Sequence, residues 1–381
     1  MSRRAFLIAA RRTAVAPRGG AFARVDAHDL AAPVLRACLE DAGLTSDAPV
    51  DQVILGNALA AGGNVARLCS LAAGLPESVP ALTVDTQCCA GLDAILLAVR
   101  LVESGAAEIV LAGGVESWSR APLRARRPFA KDEAPAFYDV PPFTPWPERD
   151  PGMTEAVAWL AQERGITRER QGAFAVESHA KARAARERDA AEIVLLPEAP
   201  LEHDAFTREL TPALCARAPV LAGEGAFAIG AATVAVEADA AAVVLVASEA
   251  AALRLAPGRA LEVRAAASAG AAPEQPALAL SAAVRGLLAR QDLDVAAFAR
   301  VELMEAFAAQ ALANADELGL DMDTVNAGGG ALARGHPIGA SGAILAVRLF
   351  HELRALERGA LGLAAIAAAG GLGAALVLRR N

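Results

Sequence analysis

An internal repeat constrains the fold of this chain more than any other feature of its sequence. The tetrapeptide AVRL occurs at residues 98–101 and again at 346–349, an offset of 346 − 98 = 248. At that offset, and without a gap, Gly91 falls on Gly339. Each repeated segment leads to an apolar stretch and a Gly-Gly pair, at 113–114 and at 370–371. Self-similarity of this kind predicts a duplicated fold, in which each copy is one structural unit.

Apolar stretches with the spacing of strands alternate with stretches that have the spacing of helices. In the first part of the chain, up to residue 114, this alternation predicts an α/β fold with a mostly parallel sheet covered by helices. The predicted strands are residues 5–10, 52–55, 81–85, 108–112 and 240–247, and the predicted helices are 30–42, 66–73, 92–103, 154–164 and 168–186. Residues 137–151, rich in proline and aromatic side chains, are predicted to form an ordered loop.

Composition excludes several classes of protein. The 381 residues are 55% apolar, enough for a large core, and the net charge of −8 disfavours a nucleic-acid-binding protein. The cysteines show no CxxC or Cys/His spacing, which predicts no metal site and free thiols in a reducing compartment. No apolar run resembles a membrane span. The start, with Arg3-Arg4, resembles an export signal, but its short apolar run favours a first strand and a cytoplasmic protein.

A thiol and an imidazole occupy equivalent positions of the repeat. The offset of 248 places Cys88 on His336, and the equivalent positions of two packed halves are expected to meet near their pseudo-two-fold axis. Both residues precede a predicted helix, whose positive end is expected to lower the pKa of the Cys88 thiol. Taken singly, each is compatible with a structural role. Taken together, they favour nucleophilic catalysis.

Several motifs resemble the thiolase family nearly from end to end. Residues 326–342, NAGGGALARGHPIGASG, are very similar to the family's histidine loop, Asn-x-x-Gly-Gly-Ala-x-Ala-x-Gly-His-Pro-x-Gly-x-Ser-Gly. Residues 84–91, VDTQCCAG, resemble the nucleophile motif Val-Asn-x-x-Cys-x-Ser-Gly. Residues 113–117, GGVES, resemble the segment that follows it, and residues 305–308, EAFA, resemble Asn-Glu-Ala-Phe-Ala without the asparagine.

The resemblance implies a duplicated thiolase fold in five αβαβα layers. The implied boundaries are an N-terminal half at residues 1–116 and 229–256, a loop domain at 117–228 inserted over the active site, and a C-terminal half at 257–381. The implied chemistry is acyl transfer from coenzyme A thioesters. Cys88 takes the acyl group, His336 activates it, and the backbone N–H groups of Cys88 and Ala369 form the oxyanion hole.

Two departures from the family pattern bear on the second half of the reaction. The family's second catalytic cysteine, in Cys-x-Gly-Gly-Gly-x-Gly, corresponds to Ala367, and the asparagine that holds a water corresponds to Met304. Smaller departures occur at Asp85, Ala90, Thr233 and Ala235. Loss of a general base typically costs about 10²–10⁴-fold in rate. Claisen condensation and thiolysis are therefore expected to be impaired, while acylation of Cys88 is retained.

Three functions remain open. The first is a thiolase-like acyltransferase that loads Cys88 from an acyl-CoA or acyl carrier protein and passes the acyl group to a carbon nucleophile, an amine, an alcohol or a thiol. The second is an ordinary β-ketothiolase with an unrecognised base, and the third is a non-catalytic acyl-CoA-binding subunit. We expect coenzyme A thioesters as substrates, no permanently bound cofactor, no nucleic-acid or membrane partner, and a homodimer or homotetramer.

Overall fold

A computed structural model describes residues 3–381, so the first two residues of the predicted N-terminal half lie outside it. The strands are β1 (Ala5–Arg12), β2 (Ala16–Pro17), β3 (Gln52–Gly56), β4 (Ala81–Val84), β5 (Ile109–Ser117), β6 (Arg124–Arg126), β7 (Ala136–Tyr138), β8 (Val220–Ala222), β9 (Ile229–Gly230), β10 (Ala238–Ser248), β11 (Leu261–Gly270), β12 (Phe298–Leu303), β13 (Leu361–Ala368) and β14 (Leu372–Arg380). The helices are α1 (Ala27–Asp41), α2 (Val65–Ala72), α3 (Ala90–Ser104), α4 (Met153–Glu163), α5 (Arg168–Ala184), α6 (Arg186–Asp189), α7 (Pro212–Arg217), α8 (Glu249–Leu255), α9 (Ala279–Gln291), α10 (Ala308–Leu318), α11 (Ala331–Arg334) and α12 (Ile338–Arg354).

The main sheet consists of two groups of strands. Its order is β12-β13-β14-β11-β1-β10-β5-β3-β4, and the two groups meet where β1 pairs with β11. That junction has only two residue pairs, Phe6 with Glu262 and Leu7 with Leu261. The parallel pairing expected from the first part of the chain is found where β3 pairs with β4 and with β5, but elsewhere in this sheet only β12–β13 is parallel. Strand β14 returns antiparallel to β13 through Gly370 and Gly371, both at φ +78°.

Three apolar cores separate five layers. The central core packs α3 and α12 between the two groups of strands. A second core covers the other face of the first group with α1, α2 and α8. A third covers the other face of the second group with α9 and α10, and α4 and α5 pack beside them. The layers therefore run helix, sheet, helix, sheet, helix, which confirms the predicted αβαβα fold class.

The equivalent glycines of the repeat meet at the centre of the molecule. A methyl group on Gly91 would lie 2.6 Å from the carbonyl oxygen of Gly339, so the first turns of α3 and α12 approach to backbone contact. Strand β5 was predicted to end at residue 112, but it continues to Ser117 through Gly113 and Gly114. Position 114 requires glycine, because a side chain there would overlap the backbone of Gly339.

The segment between β5 and β10 consists of short elements. The ribbon β6–β7 pairs Arg124 with Tyr138, so the segment predicted as a loop from residue 137 begins inside a strand. Helices α4 and α5 start within one residue of their predicted positions. Within residues 3–381, no helix combines the length and the apolar composition needed to cross a bilayer.

Candidate active site

Cys88 lies in a sharp turn between β4 and α3. The residue before it, Gln87, has φ +56°, a conformation that side chains other than glycine rarely adopt. The Asp85 Oδ1 atom accepts hydrogen bonds from the Gln87 backbone N–H at 2.9 Å and from its Nε2 at 3.0 Å. Asp85 therefore stabilises the turn that presents Cys88, a role that the sequence did not reveal. Strained backbone held by its surroundings is common at functional sites.

His336 lies between α11 and α12 and faces Cys88. Its Nε2 is 3.1 Å from the Cys88 Sγ, and its Nδ1 is 2.7 Å from the Oγ of Ser341. The Ser341 hydroxyl donates to the carbonyl oxygen of Pro337 at 3.3 Å. With that donation, the Ser341 oxygen accepts from Nδ1–H, which leaves Nε2 as the acceptor for the thiol proton. The structure thus brings together the two residues that the sequence repeat paired.

Burial keeps both groups neutral at rest. It raises the pKa of the Cys88 thiol to about 12 and lowers the pKa of His336 to about 4. The expected lowering of the Cys88 pKa by the following helix is therefore wrong for the unliganded protein, since desolvation outweighs the favourable backbone dipoles. A neutral pair transfers its proton only as the sulfur attacks, which makes His336 a candidate general base.

The backbone N–H groups of Cys88 and Ala369 both act to lower the pKa of the Cys88 thiol, against the larger effect of burial. Ala369 follows the end of β13, whereas Cys88 precedes α3, so one donor comes from each half of the molecule. An oxyanion hole requires two main-chain donors near the nucleophile, and the assignment of these two N–H groups stays a prediction.

Glu116 connects the two halves beside the nucleophile. Its carboxylate, completely buried, accepts from the Asn57 Nδ2 at 2.7 Å, from the Ala58 N–H at 2.9 Å and from the Gly339 N–H at 2.9 Å. Burial raises the pKa of Glu116 to about 7 despite these donors. The sequence analysis gave Glu116 no role. The available signals were the resemblance of the GGVES segment to the family pattern and a charged residue at the end of an apolar strand.

A second buried carboxylate, that of Glu305, fixes the histidine loop. Its Oε1 accepts from the Asn326 Nδ2 at 2.6 Å, and its Oε2 accepts from the Ser178 hydroxyl at 2.7 Å. Arg334 adds support, because its Nη1 and Nη2 donate to the carbonyl oxygens of Gly329 and Gly328, each at 2.6 Å. These contacts restrict the backbone that carries His336.

A cavity of about 750 Å³ opens over the pair, within the usual range for ligand sites. Cys88, His336, Ala367 and Ala369 all line it. So do Arg124 and Arg126, and residues of the proline-rich segment: Val140, Pro141, Pro142 and Phe143. The predicted loop at residues 137–151 therefore contributes to the wall of this cavity.

The two residues that replace the family's second cysteine and its water-holding asparagine have different surroundings. Ala367 lies at the wall of the cavity, whereas Met304 is buried in the central core and is absent from the cavity lining. Cys89 is also buried, with its Sγ 3.6 Å from the carbonyl oxygen of Ile366, and burial raises its pKa well above the usual value. Cys89 is thus no substitute for a base at position 367.

Among residues 3–381, one group of side chains has ligand atoms close enough together to share a metal ion. It consists of Asp26, His28 and Asp29 at the start of α1, and none of the three lines the cavity. Both aspartates are exposed, and exposed acidic clusters are common without an ion.

Comparison with known families agrees with this architecture. The thiolase N-terminal domain matches residues 5–250, and the thiolase C-terminal domain matches residues 258–380. The chain belongs to the thiolase family. As a member of that family, it is an acyltransferase.

Thiolase relatives align along their full length. The acetyl-CoA acetyltransferase of Cupriavidus necator is 37% identical, with 98% of this chain and 99% of that protein covered. The beta-ketoadipyl-CoA thiolase of Pseudomonas aeruginosa is 38% identical, with both chains fully covered. The crystal structure of the Bacillus anthracis acetyl-CoA acetyltransferase superposes with a TM-score of 0.91 at 31% identity, over 100% of this chain and 99% of that one. The fold expected from the motifs is confirmed.

Proposed function

We propose that this thiolase-family chain forms an acyl thioester on Cys88 and passes the acyl group to an acceptor. The Cys88 sulfur attacks the thioester carbonyl of an acyl-CoA or acyl carrier protein, and its proton moves to the His336 Nε2. The N–H groups of Cys88 and Ala369 stabilise the tetrahedral oxyanion. As the carbonyl re-forms, the bond to the coenzyme A sulfur breaks. His336 returns the proton to that leaving thiolate.

The separation of 3.1 Å between the Cys88 Sγ and the His336 Nε2, inside a cavity that accommodates a ligand, carries this proposal. An acyltransferase requires a thiol, a base at hydrogen-bond distance and donors for the oxyanion, and this site has the first two beside a ligand-sized cavity. The same features argue against a purely binding subunit.

The acceptor step is where this chain differs from the family pattern. Thiolysis and Claisen condensation need a second base near the incoming nucleophile, and Ala367 offers no titratable atom at the cavity wall. An acceptor that His336 alone can deprotonate, or a carbanion generated by decarboxylation, avoids that need. An ordinary β-ketothiolase is the second candidate, favoured by the thiolase and acetyltransferase names of relatives that align along their full length.

We also propose the substrates, the location, the oligomeric state and the domain boundaries of the enzyme. Coenzyme A thioesters are its substrates, no cofactor is held permanently, and the chain acts in the cytoplasm as a homodimer or homotetramer. Its parts are an N-terminal half at residues 1–116 and 229–256, a loop domain at 117–228 and a C-terminal half at 257–381.

Intact-protein mass spectrometry with a panel of acyl-CoAs tests the first half-reaction. The wild type should gain one acyl mass, and Cys88→Ala should gain none. Chasing the acylated enzyme with coenzyme A, malonyl-CoA, an amine or an alcohol then identifies the acceptor. Absence of any adduct across the panel would refute the proposal. Rapid thiolysis of acetoacetyl-CoA would select the second candidate instead.

A further inference from the structure

A second, smaller cavity lies at the C-terminal end of α12, whereas His336 precedes the N-terminal end of that helix. Its volume is about 180 Å³. Three arginines line it, Arg11, Arg259 and Arg354, together with the carboxylate of Asp41. Helix α12 has 17 residues and is therefore about 25 Å long, so this cavity is well separated from the cavity of Cys88.

The second cavity lies where the two groups of strands of the main sheet separate. Leu7 of β1 and Leu261 of β11 form the last residue pair of that junction, and the next two residues of β1, 8–9, line the cavity. Arg259 precedes β11, and Arg354 is the last residue of α12. Both halves of the fold therefore border this cavity, and junctions between packed units are common places for ligand sites.

Two of the three arginines have no counter-charge in the cavity. The Arg11 guanidinium donates to both carboxylate oxygens of Asp41, at 2.6 and 2.8 Å. Among the described residues that line the cavity, Asp41 is the only acidic one, so no carboxylate there is left for Arg259 or Arg354. Both of these arginines are exposed, so a ligand can reach them. With three arginines against one aspartate, the lining has a net charge of +2, and His351 adds none at neutral pH because burial lowers its pKa.

The arginines lie close enough together to affect one another. Burial lowers the pKa of Arg354, and the positive charges of Arg259, Arg380 and Arg11 lower it further, against the opposing effect of Asp41. Like charges held near one another cost free energy, which a bound anion would offset. The whole chain has a net charge of −8, so this cluster does not reflect a generally basic surface.

The helix dipole explains only part of the cluster. It favours positive charge at the C-terminal end of a helix, which accounts for Arg354 in the last turn of α12. It does not account for Arg259, which lies between α8 and β11. The convergence of Arg259 and Arg354 on one cavity therefore needs another reason.

The size and charge of the cavity restrict its ligand to a small oxyanion. Guanidinium groups form paired hydrogen bonds to the oxygens of phosphate and similar anions. The net charge of +2 matches a dianion, and a phosphate monoester carries about −1.5 to −2 at pH 7. A volume of about 180 Å³ equals that of about six water molecules, enough for one tetrahedral oxyanion, and is below the roughly 300–1,000 Å³ of cavities that enclose a whole ligand.

We propose that Arg259 and Arg354 bind a phosphate group in this second cavity, at the junction of the two halves of the fold. The site lies at the opposite end of α12 from His336, and it does not depend on the proposed acyl transfer. Two sources share this chemistry. One is inorganic phosphate, and the other is a phosphate monoester whose remaining part extends into solvent.

Isothermal titration calorimetry on the full-length protein tests the site with inorganic phosphate and with glycerol 3-phosphate, a simple monoester. Sodium chloride keeps the ionic strength constant, because salt screens charges at the surface. We expect a dissociation constant of about 1 mM or below for at least one of the two ligands, and the tighter one identifies the source. Arg259→Gln and Arg354→Gln should each weaken binding about tenfold or more, the usual effect of losing a hydrogen bond to a charged group.

The matched control is Arg290→Gln. Arg290 is also an exposed arginine in the last turn of a helix, α9, but it does not line the second cavity. This variant loses the same charge and should bind phosphate as tightly as the wild type. A titration with coenzyme A at saturation separates the site from the cavity of Cys88 and should leave the phosphate affinity unchanged.

Absence of binding of both ligands by the wild type would overturn the inference, whether or not the variants fold. Equal binding by the wild type, Arg259→Gln and Arg354→Gln would also overturn it, because the phosphate would then lie elsewhere. Displacement of phosphate by coenzyme A would do the same, since it would assign the phosphate to the cavity of Cys88. Acylation of Cys88 is a separate measurement, so failure of this inference does not imply failure of the proposed function.

Discussion

The Nε2 atom of His336 lies 3.1 Å from the Sγ atom of Cys88, across 248 positions of sequence. That separation equals the offset of the internal repeat, so the thiol and the imidazole are equivalent residues of two related halves. Each stands just before one of the two helices that pack at the centre of the fold, α3 and α12. Duplication explains how two unlike side chains at equivalent positions come to face each other.

Replacing His336 by Gln should slow acylation of Cys88 by about 10²–10⁴-fold, the usual contribution of a general base. The amide preserves much of the shape but cannot accept the thiol proton. The rate of acylation is measured by quenching the reaction with one acyl-CoA at successive times and determining the acylated fraction by mass spectrometry. Cys89→Ala is the control and should acylate normally, since Cys89 is buried outside the cavity. Acylation of Cys89 in the wild type would contradict the assignment of the nucleophile.

The rate of acylation should stay nearly constant from neutral pH to about pH 5 and fall as the pH approaches 4. Burial lowers the pKa of His336 to about 4, so its neutral, proton-accepting form persists above that pH. An exposed histidine would lose this form near its ordinary pKa of about 6.5. The same profile should appear in Glu116→Gln, which removes the nearby carboxyl whose pKa is about 7. A decline centred near pH 6.5 in both proteins would contradict the prediction.

Gly91→Ala should destabilise the protein and impair acylation together. The new methyl group would lie 2.6 Å from the Gly339 carbonyl oxygen, so α3 and α12 would have to separate. Overpacking of this kind typically costs about 1–3 kcal/mol in the free energy of unfolding. Denaturant titration measures that cost.

Gly286→Ala is the matched control for Gly91→Ala. Gly286 is also helical, in α9, but its nearest neighbour is the flexible end of Arg290 at 3.5 Å. Alanine there should leave stability unchanged or raise it by about 0.5–1 kcal/mol. If Gly91→Ala and Gly286→Ala had the same free energy of unfolding and the same acylation rate, the close approach of α3 and α12 would matter for neither stability nor acylation.

Local patterns in the sequence located most elements, because apolar periodicity records which face of a strand or helix is buried. Strand β3 and helix α5 differ from their predicted ranges by one or two residues. Strand direction was not predictable in the same way. Antiparallel pairing of β10 and β14 depends on which edge each strand joins, and that is decided by tertiary packing.

Within the site, the repeat and the motifs located Cys88 and His336, which the structure brings together, but not the groups that position them. The Asp85 contact depends on a positive φ at Gln87, and the Glu116 contacts depend on strands far apart in sequence. The pKa of Cys88 was misjudged because burial is a property of the whole fold. A helix start is visible in sequence, whereas the desolvation of Cys88 by the surrounding fold is not.

Replacing Glu302 by Gln should stabilise the protein increasingly as the pH rises from about 4.5 to about 8. Burial is the largest cause that raises the pKa of Glu302 to about 8 from its ordinary 4.5, so the fold favours the protonated form. The wild type therefore loses stability over this interval as Glu302 must ionise, at about 1.4 kcal/mol per pH unit at most, and the amide does not. Urea titrations at pH 5, 6.5 and 8 measure the difference. A difference that does not change with pH would contradict the raised pKa.

Ala367→Cys should increase the rate of acetoacetyl-CoA thiolysis if position 367 lacks a base that the rest of the site can use. Thiolysis requires removal of a proton from the incoming coenzyme A thiol, and the wild-type cavity wall offers only a methyl group there. A thiol at this position supplies a titratable group, and a working general base contributes about 10²–10⁴-fold. Ala367→Ser is the control, because it has nearly the same size but a hydroxyl that is far less acidic. The steady-state rate of thioester loss is compared among the three proteins, with acylation of Cys88 measured in parallel. A wild type that already matches Ala367→Cys would show that another residue serves as the base and would make the chain an ordinary β-ketothiolase.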